Sequence, residues 1–352
     1  MVLVLANCSA DSAAPGAQPA QVRPSGTTSS AMPAVPSSST GAHAGVSAPE
    51  SVSETARYSA GELWLDEESP MALSVSGDYL YWVSAGDELG TLRRRGVGGG
   101  PVETLGTMDR VAHSIAVHEG RIWVGDAVDL WVVDGGDGRP RLKSVFTNPD
   151  TESLKSLSVQ GGRLLLATWN RVFDLSEHPK MVQRAGPKEL DGAFAADKDW
   201  LYTSRGDGKH KITRRRWDGT EASTVIELRG NEISDLALDG DTLFVGFTAK
   251  TADGVAGPPD APGLLAVPAR GGEPRTLVTG VATHDLAVHK SEVLFANALR
   301  VMRVPKKGGA PTTLVELAGA RTVRSYFAIS GDYAFVSAGA MTRGIVRVQL
   351  AR

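Results

Sequence analysis

The residues with the most chemistry to offer are two histidines and two aspartates, His113, His284, Asp235 and Asp285, each standing at the threshold of an apolar run. Imidazoles and carboxylates that converge on one point can shuttle protons or hold a metal ion. The spacing supports neither use directly. There is no His-x-x-x-His pair and no paired cysteine, so no metal site is expected. A Gly-x-Ser-x-Gly elbow, a phosphate-binding loop and a zinc-protease helix are also missing from the sequence, so no catalytic residue and no cofactor are assigned. A Ser-His-Asp triad assembles in space rather than in sequence, which keeps an enzyme reading open.

What must position these residues is a repeat. The stretch Leu236-Ala237-Leu238-Asp239-Gly240-Asp241-Thr242-Leu243-Phe244-Val245 is an apolar run, a polar turn and a second apolar run. The same shape begins at Leu73, Ile115, Leu157, Phe194, Leu286 and Phe327. Its second positions are Ser74, Ala116, Ser158, Ala195, Ala237, Ala287 and Ala328, as expected where inner strands crowd around one axis. Alternation, a Gly/Asp turn and a run such as Tyr79-Leu80-Tyr81-Trp82-Val83 read as a β-hairpin. The copies are spaced by 42, 42, 37, 42, 50 and 41 residues. A period of roughly 40–45 residues with about four strands marks propeller blades. A second hairpin fills each interval, as in Leu264–Leu277, Val301–Leu314 and Leu92–Leu105. Each blade therefore reads as strands A and B followed by C and D.

The fold expected is all-β: a seven-bladed β-propeller of four-stranded antiparallel blades over residues 59–352. Gly61 to Asp66 resembles a D strand with no blade of its own, and the last copy stops after strand C at Ile345–Leu350. The spare strand and the missing one complete a single sheet, so the N-terminal strand closes the ring and removes both open edges. In such a ring the B–C loops share a face with the D–A links. That face carries His113, Ser114, Lys155, Ser156, Asp191, Asp235, His284, Asp285 and Arg324, together with the insertion Thr248–Pro262 behind the longest spacing. Loops on a rigid scaffold are where binding sites concentrate. His113, Lys155, Asp191, Asp235, His284, Asp285 and Arg324 are the candidate binding face.

The pattern Gly-Asp followed by an apolar run, then Arg-Val-Pro-x-x-Gly-Gly-x-Pro as at Arg303–Pro311, resembles the repeats of bacterial secreted propellers related to the YWTD-type family. Tyr81-Trp82-Val83-Ser84 is similar to the tetrapeptide that names it. The resemblance covers residues 61–352 and implies a propeller scaffold, without catalytic residues or a specific ligand. Leu5-Ala6-Asn7-Cys8 looks like a bacterial lipobox, so residues 1–8 are expected to be the end of a truncated lipoprotein signal, with Cys8 lipidated and the true start upstream. Residues 9–58 are mostly Ser, Ala, Pro, Thr and Gly, too poor in large apolar groups to fold, and read as a disordered tether. No run of 18 apolar residues occurs, so the membrane is met only through a lipid at Cys8.

Other groupings read as structural. Arg93-Arg94-Arg95 and Arg214-Arg215-Arg216 fall at the same place on two C strands and are expected to be solvated edge protection. Arg205-Gly206-Asp207 reads as a B–C loop, and six tryptophans (82, 123, 131, 169, 200 and 217) read as packing between blades. A net charge of −3 gives no case for nucleic acid. These features together point to a non-enzymatic, monomeric propeller of the bacterial cell envelope, lipid-anchored or secreted, which binds a protein or glycan through the loop face. The alternative is an extracytoplasmic hydrolase or lyase with its polar site at the axial mouth.

Overall fold

The computed structural model describes residues 61–350 except for 86–88, 135–140, 148–152, 178–181, 187–189, 191–192, 206–209, 229–231, 249–260, 298–299, 317–325 and 338–342. Strand β1 (Glu62–Glu68) comes first. Blade 1 follows with β2 (Pro70–Ser76), β3 (Tyr79–Ala85), β4 (Gly90–Gly96) and β5 (Glu103–Met108). Blade 2 has β6 (Ser114–His118), β7 (Arg121–Gly125), β8 (Asp129–Asp134) and β9 (Arg141–Thr147). Blade 3 has β10 (Leu154–Gln160), β11 (Arg163–Thr168), β12 (Val172–Asp174) and β13 (Val182–Ala185). Blade 4 has β14 (Phe194–Ala196), β15 (Trp200–Arg205), β16 (Lys211–Arg216) and β17 (Ala222–Glu227). Blade 5 has β18 (Ile233–Asp239), β19 (Thr242–Phe247), β20 (Pro262–Pro268) and β21 (Arg275–Thr279). Blade 6 has β22 (Asp285–His289), β23 (Glu292–Ala296), β24 (Arg300–Pro305) and β25 (Thr312–Glu316). Blade 7 has β26 (Tyr326–Ser330), β27 (Tyr333–Ser337) and β28 (Arg343–Gln349). Each blade is a four-stranded antiparallel meander, and β1 is the fourth strand of blade 7, in the order β1-β28-β27-β26.

Turn chemistry makes the inner hairpins. Gly77, Gly161, Gly240 and Gly331 all take positive φ, between 53° and 58°. Glycine adopts that region without a steric penalty. Gly161 is doubly constrained, because a Cβ there would lie 2.2 Å from the carbonyl carbon of Asp197 in the next blade.

Packing then closes the ring. Seven buried apolar clusters each join one blade to the next in sequence, and the last joins blade 7 to blade 1 through Trp64, Phe335, Leu80 and Trp82. A recurrent irregularity builds these seams. In every blade the pairing of the third and fourth strands skips one residue of the fourth. The skipped residues are Leu105, Val145, Arg184, Val225, Leu277, Leu314 and Trp64. A bulge reverses the alternation of side chains locally. Six of these seven residues enter the cluster shared with the following blade. The exception is Arg184.

The closing strand is held by more than its ladder. Trp64 is 8% exposed and meets Phe335 edge-on, with ring centroids 4.9 Å apart. From blade 1, Arg95 lies 4.7 Å above the Trp64 ring and donates through Nη1 to the Trp64 carbonyl at 2.6 Å. Arg347 of β28 pairs with Glu62.

The arginine triplets differ from expectation. Strands β4 and β16 are paired on both sides, by β3 and β5 and by β15 and β17, so neither is a sheet edge. Their guanidiniums cover aromatic rings instead. Arg94 lies 4.6 Å over Tyr79, and Arg214 and Arg216 lie 4.4 and 4.9 Å over Trp200. Arg94 also pairs with Glu103 at 2.7 Å. Stacking of this kind is worth roughly 0.5–1 kcal/mol at exposed sites and more when desolvated. The triplets are also one residue out of step. Arg94 faces Tyr81 and Arg214 faces Tyr202, which aligns Arg93 with Thr213.

Of the six tryptophans, Trp82, Trp123 and Trp217 are buried, and Trp131 and Trp200 pack partly buried against the seams. Trp169 is the departure, 50% exposed beyond the end of β11.

Candidate functional site

The candidate residues recur at two neighbouring positions of the blade. His113 and His284 each immediately precede the innermost strand. Their backbone N–H groups donate to the last residue of the second strand, Gly125 at 3.1 Å and Ala296 at 2.8 Å. One residue later, Asp285 pairs across to Ala296 and Asp235 to Gly246. Lys155 lies at an irregularity of β10, between Leu154 and Ser156. Asp191, Arg324 and Cys8 lie outside the described residues, as do residues 249–260 of the insertion.

Blades 5 and 6 bring Asp235 and Asp285 into electrostatic contact. Burial, followed by the charge of Asp285, pushes the Asp235 carboxyl up to about 7. Opposing that rise are the N–H groups of Leu236 and Leu286, which donate to its two oxygens at 2.8 and 2.7 Å, and the Lys155 ammonium. Asp235 retains some accessible surface, so solvent tempers the rise. Leu286 belongs to the next blade, so the carboxyl ties two innermost strands together. With one backbone donor on each oxygen, Asp235 is better placed to hold that seam than to exchange a proton with a substrate.

His113 and His284 are on blades 2 and 6, which are not adjacent. Among the described residues no three His, Cys, Asp or Glu side chains gather to hold a metal ion. The buried Asp126 on this face caps its own turn, accepting from the N–H groups of Val128 and Asp129 at 2.6 Å. Arg205 ends β15, while Gly206 and Asp207 lie outside the described residues.

One pair was not singled out from the sequence. Lys155 places its Nζ 5.0 Å from the Trp169 ring centroid, and Trp169 lies in the B–C connection of blade 3. A large aromatic beside an anchored cation, half open to solvent, is the composition of an interface hot spot. Its signal in the sequence was the position of Trp169 just past a strand rather than within one.

No family model and no curated protein matches the chain. Solved structures do. The N-terminal domain of Nup159 superposes with a TM-score of 0.55 at 9% identity, over 84% of this chain and 95% of that one. The computationally designed Ika8 protein gives 0.52 at 12% identity, over 82% and 100%. A chain from an S. cerevisiae complex of a Dbp5 variant bound to Nup159, a Gle1 variant, IP6 and ADP gives 0.52 at 10% identity, over 83% and 95%. At these identities the likeness is one of fold: this chain is similar to propellers of unrelated sequence.

Proposed function

We propose that the protein is a non-enzymatic docking propeller whose B–C face binds a protein or glycan. Trp169, half exposed and stacked with Lys155, is the observation that carries the reading. An exposed indole offers a flat apolar surface to a sugar ring or an apolar side chain, and the ammonium beside it adds a donor. Nup159, one of the structural likenesses, is seen bound to Dbp5. We further propose an extracytoplasmic location in the bacterial cell envelope, with Cys8 lipidated and residues 9–58 as the tether. The supports are Leu5-Ala6-Asn7-Cys8 and the Ser/Ala/Pro-rich stretch after it. Kinship with YWTD-type propellers rests on the repeat residues alone.

The test is a glycan array together with cross-linking mass spectrometry in the native envelope, run on the parent and on Trp169→Ala. Loss of a defined ligand in the variant, with an unchanged melting temperature, is expected. Equal binding by both proteins refutes the assignment of the face. Mass spectrometry of the mature N-terminus checks the lipid. A second reading, a hydrolase or lyase using Asp235 as an acid, is favoured by its raised pKa alone. It requires a rate that collapses in Asp235→Asn.

A further inference from the structure

The seam between blades 3 and 4 departs furthest from the pattern of the others, with polar residues at all four of the positions that build it. Four positions of each blade or its predecessor build a seam. The first is the skipped residue of the preceding fourth strand, apolar everywhere except at Arg184. The second, on the second strand, is Trp82, Val124, Leu166, Val245, Phe295 and Val336 in six blades, all buried, and Thr203 in blade 4. The third, opposite it on the third strand, is Trp131, Phe173, Leu265, Met302 and Val346, with Arg93 in blade 1 and Thr213 in blade 4. The fourth is Val133, Leu175, Val267, Val304 and Val348, with Arg95 in blade 1 and Arg215 in blade 4. Blade 1 fills its seam with Trp64 and Trp82, and its Arg95 is held by the Trp64 ring and carbonyl. Between blades 3 and 4 the buried Trp217 joins the apolar cluster, with Arg163 and Arg184 4.7 and 5.9 Å from its ring, and a cleft of about 290 Å³ also opens there.

The lining is cationic and hydroxylated. Arg184, Arg205, Lys211 and Arg215 contribute positive charge and Thr203, Thr213 and Thr224 contribute hydroxyls, while Arg214 and Ser223 border the cleft but are bonded to each other at 2.9 Å; no acidic side chain lines the cleft among the described residues. Neighbouring carboxylates answer part of that charge. Asp174 pairs with Arg184 at 3.3 Å, and Glu227 with Lys211 at 3.5 Å. Arg184 also donates through Nη1 to the Trp217 carbonyl at 2.9 Å, while its buried Nε has no hydrogen-bond acceptor among the described residues. The Thr203 and Thr213 hydroxyls lie 3.1 Å apart. Guanidinium forks with nearby hydroxyls match the oxygens of a tetrahedral anion. An anion held by the folded chain and not by the unfolded one raises the stability of the fold.

We infer that the cleft between blades 3 and 4 binds a tetrahedral oxyanion, a phosphate or sulfate, free or carried as a monoester on a small molecule. The volume lies at the lower edge of the roughly 300–1,000 Å³ usual for ligand sites. Neither Trp169 nor Lys155 lines this cleft, and the two proposals are tested by different variants.

Calorimetric titration and thermal melts of the full chain test it, with sodium phosphate, sodium sulfate and glucose 6-phosphate against sodium chloride at matched ionic strength. Phosphate or sulfate is expected to bind and to raise the melting temperature where chloride does not. Tighter binding of glucose 6-phosphate than of phosphate points to a carried ester, and equal binding to the free ion. A triple variant, Thr203→Val, Thr213→Leu and Arg215→Val, restores the residue types of the other seams and leaves the Arg184–Asp174 pair in place. It is expected to melt no lower than the parent in chloride and to bind at least about tenfold more weakly, the usual effect of losing a charge-assisted bond. Lys211→Gln, at the cleft rim, gives a second variant with less risk to folding and is expected to weaken binding several-fold. Absence of binding by all three probes, or unchanged affinity in both variants, overturns the inference.

Discussion

Removing the Trp64 side chain should unlock the ring, because that residue joins the closing strand both to its own blade and to blade 1. Trp64→Ala empties a buried site against Phe335, Leu80 and Trp82, and removes the surface under Arg95. Truncating a buried tryptophan costs about 3–5 kcal/mol, and the lost cation–π contact adds about 0.5–1 kcal/mol. The Arg95 bond to the backbone carbonyl survives, so about 5 kcal/mol is a fair central figure. That is a large part of a typical stability of about 5–15 kcal/mol. With an unfolding entropy of about 2.1 cal/mol/K per residue over roughly 290 residues, the midpoint drops by roughly 8 °C. Differential scanning calorimetry reads this directly. Deletion of residues 61–68 should lower the midpoint further, since it also strips the ladder to β28 and leaves two open edges. Should both proteins melt within about 1 °C of the parent, ring closure by β1 contributes nothing to stability and the reasoning fails.

Gly344→Ala should destabilise by about 2–4 kcal/mol in urea unfolding, since φ is +95° and a Cβ would sit 2.5 Å from Leu63 Cδ1 and 2.7 Å from the Leu65 carbonyl oxygen. Asp174 is buried. Although burial works to raise its pKa, bonds from Ser176 and the Arg163 ion pair hold it below the ordinary carboxylate value. A lowered folded pKa means stability present above the unfolded value near 3.8 and lost as pH falls through the folded one, so Asp174→Asn should flatten the acid limb of a stability–pH curve. Asp235 acts in the opposite sense. Its folded pKa, pushed up from 3.8 to about 7, makes stability greatest below the unfolded value and progressively lost as pH rises to about 7. The loss is at most about 4 kcal/mol, and the slope should vanish in Asp235→Asn.

Much of the architecture was legible in the chain because its causes are local. Gly-Asp turns need positive φ, small residues mark the crowded axis, and a strand-like segment at 61–66 matches a blade one strand short. Asp235 and Asp285 were singled out together, and blades 5 and 6 bring them together. The arginine triplets were misread because clusters of charge suggest water, while the aromatic rings beneath them come from other strands. Thr203 could have been noticed, since a threonine stands where the other copies carry Trp, Val, Leu or Phe. Arg184 could not have been read with it, because a skipped residue in the fourth strand reverses which side chains face the next blade.

By itself, then, the sequence determined the strand, the hairpin, the number of blades and the segment that completes the ring, all matters of turn conformation and side-chain size along neighbouring residues. Only the tertiary structure decided what meets across the seams: Trp64 under Arg95, Lys155 beside Trp169, and the cationic cleft between blades 3 and 4. The physical reason is that contacts between blades depend on bulge register and on the ring bringing distant strands face to face, and neither leaves a periodic signature in the chain.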